Sequence, residues 1–177
     1  TTRNPHTRAR PTEVSRFNYV TSDGAGLADY AWVRLLYSDF SEAALLFTAR
    51  TTSGGDTVPG FSMPPIASGV TLAPASTPII AVAPTWSPLG GYSGSCYSAG
   101  CGYTDWIKMS YAIATAGNYV LEFGVVNGDD YTYNSGLAFD GFLVGCSPIG
   151  SVPEPATLAL LGLGLTGLGF MRRNARG

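Results

Sequence analysis

The body of this 177-residue chain holds no imidazole, because the single histidine, His6, lies in an Arg-bearing leader. Ser-His-Asp and Cys-His catalysis, zinc-protease motifs and His-rich metal sites all need imidazole, so none is expected here. Charge is also scarce. Asp, Glu, Lys and Arg make up 12% of the chain, about half the roughly 25% of an ordinary soluble domain, which excludes a highly charged helical bundle or coiled coil. Positive charge is scarcer still: from 17 to 171 only Arg34, Arg50 and Lys108 stand against eleven Asp and Glu, a net charge of −8. A body without a basic footprint cannot neutralise a phosphate backbone, so no nucleic-acid partner is expected. The formal net charge of −2 hides this asymmetry, since Arg3, Arg8, Arg10 and Arg16 crowd one end and Arg172, Arg173 and Arg176 the other.

What is abundant is glycine, proline and apolar side chains: 23 Gly, 12 Pro and 45% apolar residues. The length fits one domain. Ile107, Met109, Tyr111 and Ile113 alternate with Lys108, Ser110 and Ala112, and Tyr119, Leu121, Phe123 and Val125 alternate with their neighbours in the same way. Period-two patterning predicts half-buried strands, and the short Gly-bearing loop 114–118 between them predicts an antiparallel hairpin. Further strands are expected over 17–20, 44–49 and 137–144. Residues 29–37 also fit a helix face but are read as strand from their neighbours. Short strands with frequent turns predict an all-β, antiparallel β-sandwich over 17–150. Residues 53–94 differ, with seven Gly and seven Pro. They are expected to form a long ordered excursion over the sandwich, anchored by Phe61, Met63, Ile66, Ile79, Ile80 and Trp86. The atypical basic leader 1–16 is expected to be disordered.

Three cysteines limit the redox chemistry. Cys96 and Cys101 enclose four residues of a Gly/Ser-rich stretch and are a candidate disulfide in an oxidising compartment, with free thiols as the alternative. A zinc site would need two further Cys or His ligands. Cys146 reads as a small buried apolar residue near a strand end.

Carboxylates are what remains for chemistry. Asp129 and Asp130, with Asp140 further on, form an oxygen-rich candidate for a hard cation such as Ca2+, although without the regular spacing of an EF-hand loop; ordinary turn residues are the alternative. No other cofactor is expected. Glu122 and Asp140 on neighbouring strands are the candidate pair for a glycan hydrolase or lyase, which needs two carboxylates about 5–10 Å apart across a cleft. Trp32, Tyr92, Tyr103, Trp106, Tyr131 and Tyr133 are aromatics able to stack on sugar rings, or else core and interface residues.

The C-terminus carries the most specific pattern. Residues 155–171 contain no charge and are followed directly by Arg172 and Arg173. Seventeen residues at about 1.5 Å each reach roughly 25 Å, the short limit for a single helix crossing a hydrocarbon core. The Arg cluster then belongs in the cytoplasm and the acidic body outside. Gly162, Gly164 and Gly167 mimic a dinucleotide fingerprint, but no carboxylate follows them and no strand precedes them. Pro153, Glu154 and Pro155 come immediately before this stretch. Two prolines hold Glu154 in extended chain, open to a protease.

The string VPEPATLALLGLGLTGLGFMRRNAR resembles the PEP-CTERM sorting signal of Gram-negative bacteria: a Pro-Glu-Pro motif, a Leu/Gly-rich helix and an Arg cluster, in that order. The resemblance implies an exosortase-type processing protease as partner, transient inner-membrane anchoring through 156–171, and delivery to the cell surface or exopolysaccharide matrix. A Pro-rich linker of a permanently anchored single-span protein is the alternative. The body segments FNYVTSDGAGLADYAWVRLL, FTARTTSGGDTVPGF, CGYTDWI and LEFGVVNGDDYTYNSGLAFDGF are similar to a group of exported PEP-CTERM proteins, which implies a jelly-roll-like sandwich. In that group FNYVTSDGAG follows a signal peptide and several strands, so an N-terminally truncated fragment, with an incomplete sandwich, is expected. The function expected is non-catalytic binding or assembly at the surface, associated with extracellular polysaccharide; the carboxylate-dependent hydrolase is the alternative.

Overall fold

The computed structural model describes residues 12–144 together with 147 and 148. Nine strands follow in chain order: β1 (Thr12–Thr21), β2 (Tyr30–Tyr37), β3 (Glu42–Arg50), β4 (Thr71–Ala73), β5 (Gly102–Tyr103), β6 (Ile107–Ala112), β7 (Tyr119–Val126), β8 (Ser135–Val144) and β9 (Ser147–Pro148). They form two sheets. The larger has the order β4-β6-β1-β8-β9, with β5 also paired to β1, and the smaller has the order β3-β2-β7. The resolved pairings within both sheets are antiparallel. The two sheets share one core: Phe17 of β1 meets Phe47 of β3 with ring centroids 4.9 Å apart, and Val33, Leu35, Ile107 and Met109 complete the buried layer.

The period-two patterning explains which face each strand buries. Ser15, Phe17, Tyr19 and Thr21 of β1 are all fully buried, while Arg16 between them is exposed. In β2 the buried set is Ala31, Val33 and Leu35, joined by Leu36 where the ladder with β3 shifts again. β3 departs from alternation, since Leu46 and Phe47 are adjacent and both buried. Its ladder with β2 shifts between Val33 and Arg34, so that Leu46 is the extra residue of a bulge and the next side chain can also face inward.

Two expectations are corrected here. The leader does not run to 16: residues 12–16 belong to β1, flanked by β6 and β8, because Ser15 continues the inward period of Phe17 and Tyr19. Residues 1–11 lie outside the described residues. Nor do β6 and β7 form a hairpin. β6 pairs with β1 and β4, β7 pairs with β2, and the connection between them crosses from one sheet to the other. Ile113, 6% exposed, plugs that crossing, and the Tyr119 hydroxyl donates to the Thr115 carbonyl at 2.8 Å. Both strands need their apolar face on the same core, and either arrangement meets that need; period-two patterning cannot tell them apart.

The 53–94 segment is ordered. Gly60 N donates to Thr48 O and Ala67 N to Leu45 O, so the chain runs along the outer edge of β3 and covers backbone groups that would otherwise template further pairing. It then extends the larger sheet as β4 and passes over that sheet's outer face to a 3-10 helix at Ser87–Tyr92. Of the expected anchors, Ile66 and Ile79 pack against the core, whereas Phe61 and Ile80 are exposed; the buried ones are Val58, Leu72 and Leu89. Each such side chain stabilises by about 1.5–3 kcal/mol, enough to hold a Gly/Pro-rich path in place.

Candidate functional site

The expected sorting residues Pro153, Glu154 and Pro155, the apolar stretch 156–171, Arg172, Arg173 and Arg176, and Cys146 all lie outside the described residues. Among the described residues no helix is long and apolar enough to cross a membrane.

Cys96 and Cys101 are joined, with their Cα atoms 5.6 Å apart. The closed loop is stitched to the turn after β1: Tyr97 N donates to Ser22 O and Ala25 N to Ala99 O, both at 2.9 Å. Gly100, at φ +102°, lies so close to the Ala25 backbone that a side chain there would overlap it.

The carboxylate candidates separate. Asp140 sits in mid-strand on the exposed face of β8, in register with Arg16. Asp129 and Asp130 lie in the turn before β8, and five residues of strand at about 3.4 Å each put Asp140 roughly 17 Å beyond Ser135. Asp130 instead accepts from its own turn at Thr132 N, 2.8 Å. Among the described residues no group of three or more His, Cys, Asp or Glu is placed to hold a metal ion, so the expected Asp129, Asp130 and Asp140 cluster is not formed. Glu122 likewise points away from Asp140. It projects from the outer face of the smaller sheet, where Arg34 donates to it and also pairs with Glu42 at 3.6 Å. Asp140 projects from the outer face of the other sheet, so the two do not flank a cleft. Between them, on the inner side, Phe123 stacks on Phe139 at 4.6 Å.

The carboxylates folding does bury are two others. Asp23 and Asp29 are both fully buried, on either side of the one-turn 3-10 helix Ala25–Leu27. Asp29 accepts from Gly128 N at 2.8 Å and from the Ser135 hydroxyl at 2.6 Å, tying the β1–β2 connection to the end of β7 and the start of β8. Asp23 accepts only from Gly24 N at 2.7 Å, and its Oδ2 has no partner. Burial lifts the Asp23 carboxyl to about 6, against the pull of the Gly24 N–H, and the charges of Asp29, Asp130 and Asp129 push the same way. Asp29 is raised too, again chiefly by burial, with its Ser135 and Gly128 hydrogen bonds opposing.

Among the described residues a cleft of about 380 Å³ opens on the outer face of the larger sheet, within the size range of small-ligand sites. Its floor is Asn18 and Val20 of β1 with Ala138 of β8, where Asn18 and Ala138 are direct cross-strand partners. Its roof is the 82–86 stretch of the excursion. The edge of the Trp86 ring abuts Gly136 of β8, where any Cβ would overlap it. Trp106, 45% exposed, follows β5, which pairs along the opposite side of β1, so the two indoles stand on either side of that strand. None of the lining residues is charged. The Asn18 Oδ1 is buried without a hydrogen-bond partner, an unusual state for a native polar group. A second depression of about 320 Å³ lies over the smaller sheet beside Trp32 and Arg34, but its cation is already engaged by Glu42 and Glu122.

Of the aromatics expected to contact sugars, Tyr103 and Trp106 line the cleft. Tyr92 and Tyr133 pack on each other instead, with Tyr97 beside Tyr133, and Tyr131 is 97% exposed. Trp86 and Asn18 were not singled out from sequence as ligand contacts. A tryptophan in a Gly/Pro-rich stretch was the available signal for the first; an asparagine within a strand pattern was the signal for the second.

Residues 151–173 match the protein-family model described as the PEP-CTERM protein-sorting motif. The match takes in Pro153, Glu154, Pro155, the apolar stretch, Arg172 and Arg173, and ends before Arg176. The chain therefore carries a PEP-CTERM sorting signal, which implies export and processing by an exosortase-type membrane protease. No curated protein and no solved structure matches the chain.

Proposed function

We propose that this is a non-catalytic binding or assembly protein of the Gram-negative cell surface, associated with extracellular polysaccharide after release from a transient C-terminal membrane anchor. The observation that carries the reading is the sorting motif at 151–173. In it the apolar residues 156–171 span the inner membrane, Arg172, Arg173 and Arg176 stay in the cytoplasm, and Glu154, between two helix-denying prolines, presents the processing site. The disulfide of Cys96 with Cys101 suits an oxidising, extracytoplasmic destination. The separation of Glu122 from Asp140 supports binding over hydrolysis. The jelly-roll reading is supported by the ribbon of β1 with β8 and β2 with β7, which turns the corner from one sheet to the other as a pair.

Mass spectrometry of the mature protein tests the sorting part. The wild-type chain is expected to lose 156–177, and Glu154→Ala to retain them in the membrane fraction. An intact C-terminus in every fraction of both proteins identifies a permanently anchored protein instead.

A further inference from the structure

We propose that the cleft between Trp86 and Trp106 binds a neutral polysaccharide, with pyranose rings stacked on the two indoles; this rests on the reading of the domain as a non-catalytic binding module. A pyranose presents an apolar C–H face and a rim of hydroxyls. The electron-rich indole face matches the first. The Asn18 carboxamide at the cleft floor and the hydroxyls of Thr85 and Tyr103 in its lining are the hydrogen-bonding groups for the second.

Charge selects the occupant. The lining has no charged side chain, and the body from 17 to 171 has a net charge of −8, so an anionic polymer is repelled and a cationic peptide finds no carboxylate within the cleft. An uncharged ligand with apolar faces fits both facts. The site is also built rather than incidental. Gly136 is required for Trp86 to approach β8 so closely, and the roof is held by Gly94 N donating to Pro84 O at 2.8 Å. Trp106 remains 45% exposed, although burying it would be favourable by the usual hydrophobic accounting. The second depression, beside Trp32, is instead lined by the charged pair Arg34 and Glu42.

Native affinity gels containing laminarin, xyloglucan or dextran, with alginate as an anionic comparator, test the proposal on the full chain in mild detergent. At least one neutral polysaccharide is expected to retard the protein. Trp86→Ala and Trp106→Ala are each expected to raise the dissociation constant at least about tenfold, whereas Trp32→Ala on the opposite sheet leaves it unchanged. Trp106 is exposed enough for its replacement to spare the fold, so it decides the matter if Trp86→Ala melts early. Retardation by alginate alone, by no polysaccharide, or equally for Trp106→Ala and the parent overturns the proposal. So does an equal loss with Trp32→Ala. The gels read the cleft and the C-terminal mass reads the sorting, so either can fail without the other.

Discussion

Asp23 and Asp29 pass for turn residues in the sequence, yet they are the carboxylates that folding removes from water. Their burial depends on the 96–99 and 127–134 loops closing over them, and those loops come from distant parts of the chain. Asp23 carries a testable consequence. With its folded-state carboxyl at about 6, it keeps a proton over a pH range in which the unfolded chain has released one. The native state then binds more protons, and stability falls as pH rises. The group costs nothing below about pH 4 and its full penalty above about pH 6, and Asp29, shifted the same way, steepens the trend. Denaturant unfolding at pH 5 and pH 8 is expected to show greater stability at pH 5, with Asp23→Asn recovering roughly 1–3 kcal/mol at pH 8 and flattening the difference. Gly136 offers a second test. A methyl group there overlaps the Trp86 ring, so Gly136→Ala is expected to cost about 1–3 kcal/mol and to weaken any ligand of the cleft. Gly26→Ala, which meets only open space, should stay within about 0.5 kcal/mol.

Among the elements, strand existence was legible and strand partnership was not. β2, β3, β7 and β8 fall where alternation and β-branched or aromatic content place them, because each side chain's facing is set by its own neighbours in sequence. The β6–β7 pair was misread as a hairpin because facing says nothing about which sheet the next strand joins. Ile113 marks the crossing, and Ile113→Ala is expected to cost about 2–4 kcal/mol, measured by urea unfolding, since it opens a cavity where the two sheets meet. The 96–101 disulfide is the second lever at this scale. It closes a short loop, for which the chain-entropy estimate is about 2 kcal/mol. Reductant, or Cys96→Ser with Cys101→Ser, is therefore expected to lower the unfolding free energy by about that amount. It should also loosen the hydrogen bonds from Tyr97 and Ala25, seen as faster amide exchange at those positions.

At the scale of the molecule, the separation of Asp140 from Asp129 and Asp130 predicts that millimolar Ca2+ or a chelator shifts the melting temperature of the sandwich by no more than about 1 °C, since a cation that does not bind the native state cannot stabilise it. A clear Ca2+-dependent rise would contradict the observed separation of these carboxylates. The sequence by itself determined the all-β class, the scarcity of charge and imidazole that removes whole classes of catalysis, and the sorting signal at 151–173. A Pro-Glu-Pro motif, an apolar run and an Arg pair act through contiguous residues, so no folding is needed to read them. Tertiary structure alone decided which carboxylates are buried, that Glu122 and Asp140 leave by opposite faces, and that Asn18, Trp86 and Trp106 share one cleft. Those relations depend on the pairing of β1 with β8 and on a 42-residue excursion returning across their outer face, and residues so far apart in the chain meet only once both sheets have formed.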